Sequence, residues 1–243
     1  RERPDEPPSA STAADWAAEE RKGKPPGFSL TALSYPGKAA ALVQQPGFLF
    51  ALAAFVASIG TTNVVSAFTA PELARAGFPE GYGIDLAGAG FQVAIVVGGI
   101  LLGSLVDRTK RFRPAILACL GVAIVALGAL GSAEGFDQSF SLPVVVVLLL
   151  SLGFSAGPVQ PIAAELAVEV AYPCDENAVE ATQQLAGNLF SALLVPICER
   201  ASVYDLTFGT IPESDMRGDT LVLLALVIST TAAFYTFNEP IVS

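Results

Sequence analysis

The chain has 243 residues, of which 52% are hydrophobic and 15% are charged, and its formal net charge at pH 7 is −10. Soluble domains carry about 25% charged residues, so this composition excludes an ordinary soluble protein and indicates a membrane protein. The net negative charge excludes a nucleic-acid-binding protein, because such proteins need a basic surface to meet phosphates.

The chain begins with a polar leader. Residues 1–27 are rich in Pro, Ser, Ala and charge, and cannot bury enough apolar surface to fold alone. We therefore expect residues 1–45 to form a cytoplasmic loop or linker that is mostly disordered. Because residue 1 is Arg instead of Met, we also expect the chain to be a fragment or processed piece of a longer protein.

Six apolar segments follow, each near the roughly 20 residues that a helix needs to cross about 30 Å of hydrocarbon. Helices satisfy every backbone group in lipid, so the pattern predicts an all-α membrane protein, a six-transmembrane-helix bundle over residues 46–239. Residues 240–243 would be a cytoplasmic tail. The predicted spans are 47–69, 87–106, 114–133, 143–164, 178–197 and 219–237.

The cations of the loops predict the orientation, because Lys and Arg in short loops favour the cytoplasmic side. With the N-terminus inside, ten of the 13 cations fall in inner segments and three fall in outer segments. We therefore expect a multi-pass protein of the lipid bilayer with both termini in the cytoplasm.

The second span ends in a glycine-rich stretch and a basic turn. Gly99 and Gly103 are four residues apart, so they share a helix face that allows another helix to approach closely. Asp107 then precedes a cluster of cations, which either hold the turn in the cytosol or take part in gating. The motif cations are Arg108, Lys110 and Arg111.

The fourth span contains a second small-residue face at Gly153 and Gly157, and Pro158 removes a backbone donor beside it. The stretch also matches the GxSxG motif of serine hydrolases, but that motif needs a histidine base and the chain has no histidine. We predict a bending element, for gating or for a simple kink. Glu165 and Glu169, one helical turn apart, mark the cytoplasmic end of this span.

Polar side chains inside the spans are candidates for a substrate cavity, because they usually face a bundle interior or a cavity. Hydrogen bonding between helices is the alternative role. Gln184 and Asn188 lie on one face of the fifth span. The cavity candidates are Ser58, Thr62, Asn63, Gln92, Gln184 and Asn188.

We expect no metal, no cofactor and no enzymatic activity. The chain has three cysteines, far apart in sequence, and their spacing matches no metal framework. Acidic and basic residues are also absent from the middle of every predicted span, so the sequence gives little support for proton coupling.

Two stretches resemble known transporters. The pattern of Gly103, Asp107, Arg108, Lys110 and Arg111 is similar to the loop signature of major facilitator superfamily transporters, between helices eight and nine. A closer resemblance is to the feline leukaemia virus subgroup C receptor-related transporters. The residues that carry it are Asp107, Arg108, Thr109, Lys110, Phe112, Glu165, Glu169, Tyr172, Pro173 and Asn188.

This resemblance implies that the six spans are helices seven to twelve, and that a second half, the N-terminal six helices, completes the transporter. It implies transport of choline and ethanolamine, or of haem. A helix-eleven glutamine of the family corresponds to Asn188, and a helix-seven tyrosine corresponds to Phe55 or Asn63. Asp107 would latch the cytoplasmic side by facing a helix N-terminus of the other half.

Two hypotheses follow. The first is the C-terminal half of a carrier that moves a small organic molecule by rocking two helical bundles about a midplane site. The second is a six-helix membrane scaffold or receptor that transports nothing and assembles through its GxxxG faces.

Overall fold

The computed structural model describes residues 35–75, 81–135, 141–172, 174–207 and 215–237. Within these ranges the apolar segments form helices, because a continuous apolar run satisfies its backbone groups internally only as a helix. The helices are α1 (Tyr35–Val43), α2 (Phe48–Arg75), α3 (Tyr82–Thr109), α4 (Phe112–Gly135), α5 (Leu142–Ala171), α6 (Glu176–Ala201) and α7 (Gly218–Tyr235). Two short antiparallel strands, β1 (Asp205–Thr207) and β2 (Asp215–Arg217), connect α6 to α7.

The predicted all-α membrane fold is confirmed. Five of the described helices, α2, α3, α4, α5 and α7, are long and apolar enough to cross a membrane. Helix α6 has 26 residues but carries several amides and carboxylates, and it does not reach the same hydropathy. Its crossing of the membrane therefore remains a prediction. Helix α1 was not anticipated, because it lies within the stretch assigned to the leader loop.

Helix α5 lies at the centre of the bundle and packs against α2, α3 and α4. Half of its 30 residues are buried. Helix α2 also packs along α6, and α4 packs along α7. Helix α3 is the most exposed of the five apolar helices, because apart from α5 it has little contact with the rest of the chain.

Glycines permit the close contact between α3 and α5. A Cβ on Gly157 would lie 2.7 Å from the side chain and 2.9 Å from the backbone of Ile95, and one on Gly153 would lie 2.7 Å from the carbonyl oxygen of Phe91. The close packing expected at Gly153 and Gly157 is therefore present. These contacts leave no room for any larger residue at either position.

The glycine of α3 that enters this contact is Gly98. The packing face predicted at Gly99 and Gly103 has no partner helix among the described residues. A Cβ on either of those two glycines would meet nothing within 4 Å. Gly98 and Gly99 are adjacent, so they point about 100° apart around the helix. The spacing of the glycines in the sequence does not reveal which of them faces α5.

Gly98 meets α5 at a defect in its backbone hydrogen bonding. Pro158 has no N–H, so the carbonyl of Phe154 loses its usual donor one turn further along the helix. A Cβ on Gly98 would lie 2.5 Å from that oxygen and 2.9 Å from Cγ of Pro158. The two helices thus touch at a carbonyl whose usual donor Pro158 removes.

Helix α1 is tied to the start of α6. Nζ of Lys38 lies 2.6 Å from Oδ2 of Asp175, and the Asp175 carboxylate also accepts a hydrogen bond from the backbone N–H of Asn177, which caps α6. Burial alone would raise the pKa of Asp175, but Lys38 and Asn177 together hold it below its usual value. Leu42 of α1 is fully buried, so this helix is part of the packed structure.

We predict that Gly98→Ala destabilises the protein and that Gly121→Ala does not. The new methyl group at position 98 would collide with the Phe154 backbone, and overpacking of this kind costs about 1–3 kcal/mol. Gly121, within α4, has open space around its Cβ position and serves as the matched control. Unfolding of both variants in mixed detergent micelles measures the difference, and equal stabilities would contradict the packing described above.

We also predict that Asp175→Ala costs more stability than Lys38→Ala or Asp175→Asn. The alanine removes both the cap and the ion pair, and loss of a cap costs about 1 kcal/mol. The other two changes remove only a half-exposed ion pair, worth about 0.5 kcal/mol. Because the pKa of Asp175 is lowered, its contribution is present at neutral pH and lost as the pH falls below its ordinary value of 3.8. Chemical unfolding at pH 7 and pH 3 tests both statements; a Lys38→Ala variant as unstable as Asp175→Ala would contradict them.

Candidate functional site

A row of polar side chains runs along α2 and meets three other helices. Its members on α2 occupy successive turns of that helix. We call it the polar row, and its members are Ser58, Thr62, Asn63 and Ser66 of α2, Gln92 of α3, Gln160 of α5 and Ser191 of α6.

The hydroxyl groups of α2 donate to backbone carbonyls. Ser58 Oγ donates to the carbonyl of Ala156 in α5 at 2.6 Å. Thr62 Oγ1 lies 3.0 Å from the carbonyl of Ser58, one turn back in its own helix. Ser66 Oγ likewise donates to the carbonyl of Thr62 at 2.6 Å. Each of these hydroxyls has thereby committed its single proton.

Three amides then donate to hydroxyls of the row. Gln160 Nε2 lies 3.2 Å from Thr62 Oγ1, and Gln92 Nε2 lies 2.7 Å from Ser66 Oγ. Asn63 Nδ2 donates to Ser191 Oγ at 2.8 Å. These bonds tie α2 to α5, α3 and α6 with neutral groups alone, so no charge has to be buried in the apolar bundle.

The row changes from buried to exposed along α2. Ser58 and Thr62 are 2% and 5% exposed, whereas Asn63 and Ser66 are exposed. Gln92 is exposed and Gln160 is half-buried. The row therefore has a buried end that joins helices and an exposed end, which we call the open end.

Four of the predicted cavity residues, Ser58, Thr62, Asn63 and Gln92, belong to this row, and three others do not. Asn188 donates to the backbone carbonyl of Gln184 within α6, and both side chains are exposed. Phe55 is only 2% exposed and packs beside Gly187, so its ring does not face an open surface in this conformation.

The sequence analysis missed Gln160 and Ser66. Gln160 stands between Pro158 and Pro161, and the two prolines directed attention to a kink. The available signal was that Gln160 is the only polar residue between the two prolines. Ser66 lies one turn beyond Thr62, on the same face of α2, and that spacing was the corresponding signal there.

Two of the predicted motif residues, Lys110 and Glu165, form an ion pair at the end of α3. Nζ of Lys110 lies 2.5 Å from Oε1 of Glu165, which joins the end of α3 to α5. The bond to Glu165, followed by the charges of Glu165, Asp107 and Glu169, raises the pKa of Lys110 above its usual value. Lys110 also lies 5.9 Å from the ring centre of Phe112.

The remaining motif cations differ from Lys110. Arg108 and Arg111 are exposed, and neither forms an ion pair with another described residue. Arg113 instead donates to the backbone carbonyl of Tyr235 at 2.5 Å and lies over its ring, which joins the start of α4 to the end of α7. Within the described ranges, no three His, Cys, Asp or Glu side chains come together as metal ligands would.

Comparison with known proteins agrees with the helical architecture. The family model of the Major Facilitator Superfamily matches residues 2–195. Solute carrier family 49 member A3 of Xenopus tropicalis is 25% identical over 172 residues, which are 70% of this chain. The chain spans about a third, 35%, of the length of that curated relative. Since the family match covers most of the chain, the protein belongs to the Major Facilitator Superfamily.

Proposed function

We propose that this chain is the C-terminal half of a carrier that moves a small organic solute across the membrane by alternating access. The observation that carries the proposal is the open end of the polar row, where Asn63, Ser66 and Gln92 are exposed on two helices apolar enough to cross a membrane. Exposed amides in a membrane helix are costly in lipid, so we infer that they line an aqueous pathway. The similarity to a solute carrier supports the same reading.

The partner of this half would be a second bundle of six helices, preceding it in the full-length protein. Helix α3 has apolar residues exposed along its length, and the open faces of Gly99 and Gly103 lie on the same helix. Helix α6 exposes Gln184 and Asn188 together with large apolar residues. We propose that parts of both surfaces face the second bundle across the cavity.

The distribution of contacts supports the predicted orientation. Lys38, Lys110 and Arg113 each bind a residue from another element at one end of the bundle, where α3 ends and α4 begins. Arg217 contacts the carbonyl of Ser202 at the connection between α6 and α7, which would be the outer end. We propose that the first of these ends, with both termini, lies in the cytoplasm.

At the cytoplasmic end, the pair of Lys110 and Glu165 would hold α3 against α5 and orient the turn that carries Asp107. An exposed Asp107 beside this pair is then available to face a helix N-terminus of the other bundle, where it would close the inner side. Arg108, Arg111 and Glu169 would set the charge of the same surface, and a bend at Pro158 would let α5 follow the movement.

The substrate class rests on the resemblance to feline leukaemia virus subgroup C receptor-related transporters. It suggests a choline- or ethanolamine-like cation, or haem, as the first solutes to assay. Gln184 and Asn188 would contribute to the cavity from α6. Phe55 would contribute only if α2 and α6 moved apart, because its ring now packs beside Gly187.

We predict that Asn63→Leu in the full-length carrier lowers uptake about tenfold without loss of membrane insertion. The change removes an exposed amide and its bond to Ser191, and losing one such group at a site costs on the order of 1.4 kcal/mol. Ser229→Ala is the matched control, because this exposed hydroxyl bonds only within α7. Uptake of labelled choline, ethanolamine and haem into proteoliposomes is the measurement.

Uptake that is equal in the Asn63→Leu variant and the Ser229→Ala control would contradict the role of the polar row. If no full-length version moved any solute, while stable complexes formed through α3, the scaffold hypothesis would replace transport. Its basis would be the open glycine face at Gly99 and Gly103.

A further inference from the structure

The direction of the hydrogen bonds in the polar row can be deduced from its hydroxyl groups. Ser66 gives its proton to the carbonyl of Thr62 at 2.6 Å, and Thr62 gives its own to the carbonyl of Ser58 or Ile59, at 3.0 and 3.2 Å. A hydroxyl has one proton, so both oxygens can only accept from any further partner. Gln92 and Gln160 must therefore donate to them.

This constraint orients both amides. Nε2 of Gln160 is held by Thr62 and Nε2 of Gln92 is held by Ser66. Their carbonyl oxygens, Oε1, consequently point away from the hydroxyls, and neither has a hydrogen-bond donor among the described residues. In each chain the amide donates to the hydroxyl and the hydroxyl donates to a backbone carbonyl, so the bond dipoles point in the same direction. This alignment strengthens the Oε1 atom of the glutamine as an acceptor.

We infer that Gln92 and Gln160 bind the transported solute through their Oε1 atoms, and that Thr62 and Ser66 are positioning residues that keep those acceptors turned outward. The inference rests on the proposed function, because it concerns the same polar row. The site then selects solutes that bring hydrogen-bond donors. It discriminates by the number of N–H or O–H bonds that a solute carries, and not by positive charge alone.

A series of methylated ethanolamines distinguishes the effect of the number of N–H donors from the effect of positive charge. Ethanolamine, N-methylethanolamine, N,N-dimethylethanolamine and choline carry three, two, one and no N–H bonds in their cationic forms, and all carry the same charge and hydroxyl. A hydrogen bond contributes about 0.5–1.5 kcal/mol net. Each methyl group should therefore weaken competition by roughly two- to twelvefold.

The test uses the full-length carrier in proteoliposomes, with labelled ethanolamine taken up in competition with each member of the series. The expected result is a graded loss of competition from ethanolamine to choline. A flat series, a series that favours choline, or no uptake of ethanolamine would overturn the inference. Transport of choline, haem or another solute in the same vesicles would still leave the proposed function standing.

Leucine variants distinguish hydrogen bonding to the two Oε1 acceptors from simple steric fit. Gln160→Leu and Gln92→Leu should flatten the series, because the carbonyl acceptors are gone. Gln44→Leu, an exposed glutamine between α1 and α2, is the matched control and should leave the series unchanged. A series that keeps its slope in both leucine variants would show that bulk, and not donor count, sets the order, and would overturn the inference.

Substitutions at Thr62 provide a test that does not depend on the amount of folded protein, because two competitors are compared in the same variant. Thr62→Val removes the hydroxyl that orients Gln160 and nearly preserves side-chain volume, whereas Thr62→Ser keeps the hydroxyl. We expect the ratio of ethanolamine to choline competition to fall about threefold or more in Thr62→Val and to return in Thr62→Ser. An unchanged ratio in Thr62→Val would overturn the positioning role.

Discussion

The contact between Gly98 and the carbonyl of Phe154 sets the geometry on which the other features depend. Pro158 removes the usual donor of that carbonyl, and only a residue without a side chain can approach the oxygen this closely. Gly153 and Gly157 extend the contact along Phe91 and Ile95, so α3 and α5 approach closely over several turns. In lipid, where apolar surfaces gain little from meeting one another, such close packing is a main source of helix association.

The same segment of α5 positions the polar row. Between Gly153 and Pro161 it presents the carbonyl of Ala156 to Ser58 and the amide of Gln160 to Thr62, while its other side holds α3. Helix α3 in turn brings Gln92 to Ser66. Packing on one side of α5 and hydrogen bonding on the other thus place amides from two helices beside α2. A bend in α5 would move both sets of contacts together.

The helical membrane fold could be predicted from the sequence because long apolar runs have only one solution in lipid. The polar residues within the apolar runs were equally visible, and they predicted Ser58, Thr62 and Asn63 of α2 and Gln92 of α3 as cavity residues. Which residues of different helices contact each other could not be predicted from the sequence in this way. Gly99 was preferred to Gly98 because spacing does not reveal which face a neighbour occupies, and Gln160 was overlooked beside its prolines. Phe55 came from resemblance alone, and its burial depends on how α6 packs at Gly187.

The central claim is that the open end of the polar row faces the transported solute. The most direct test is solute protection of a cysteine at Ser66, in the full-length carrier with Cys174→Ser to remove the half-buried native thiol. Cys119 and Cys198 are buried. We predict that a transported solute, ethanolamine or choline, slows labelling of Ser66→Cys by a polar thiol reagent and leaves Ser229→Cys unaffected. Labelling of Ser66→Cys at the same rate with and without that solute would contradict the account.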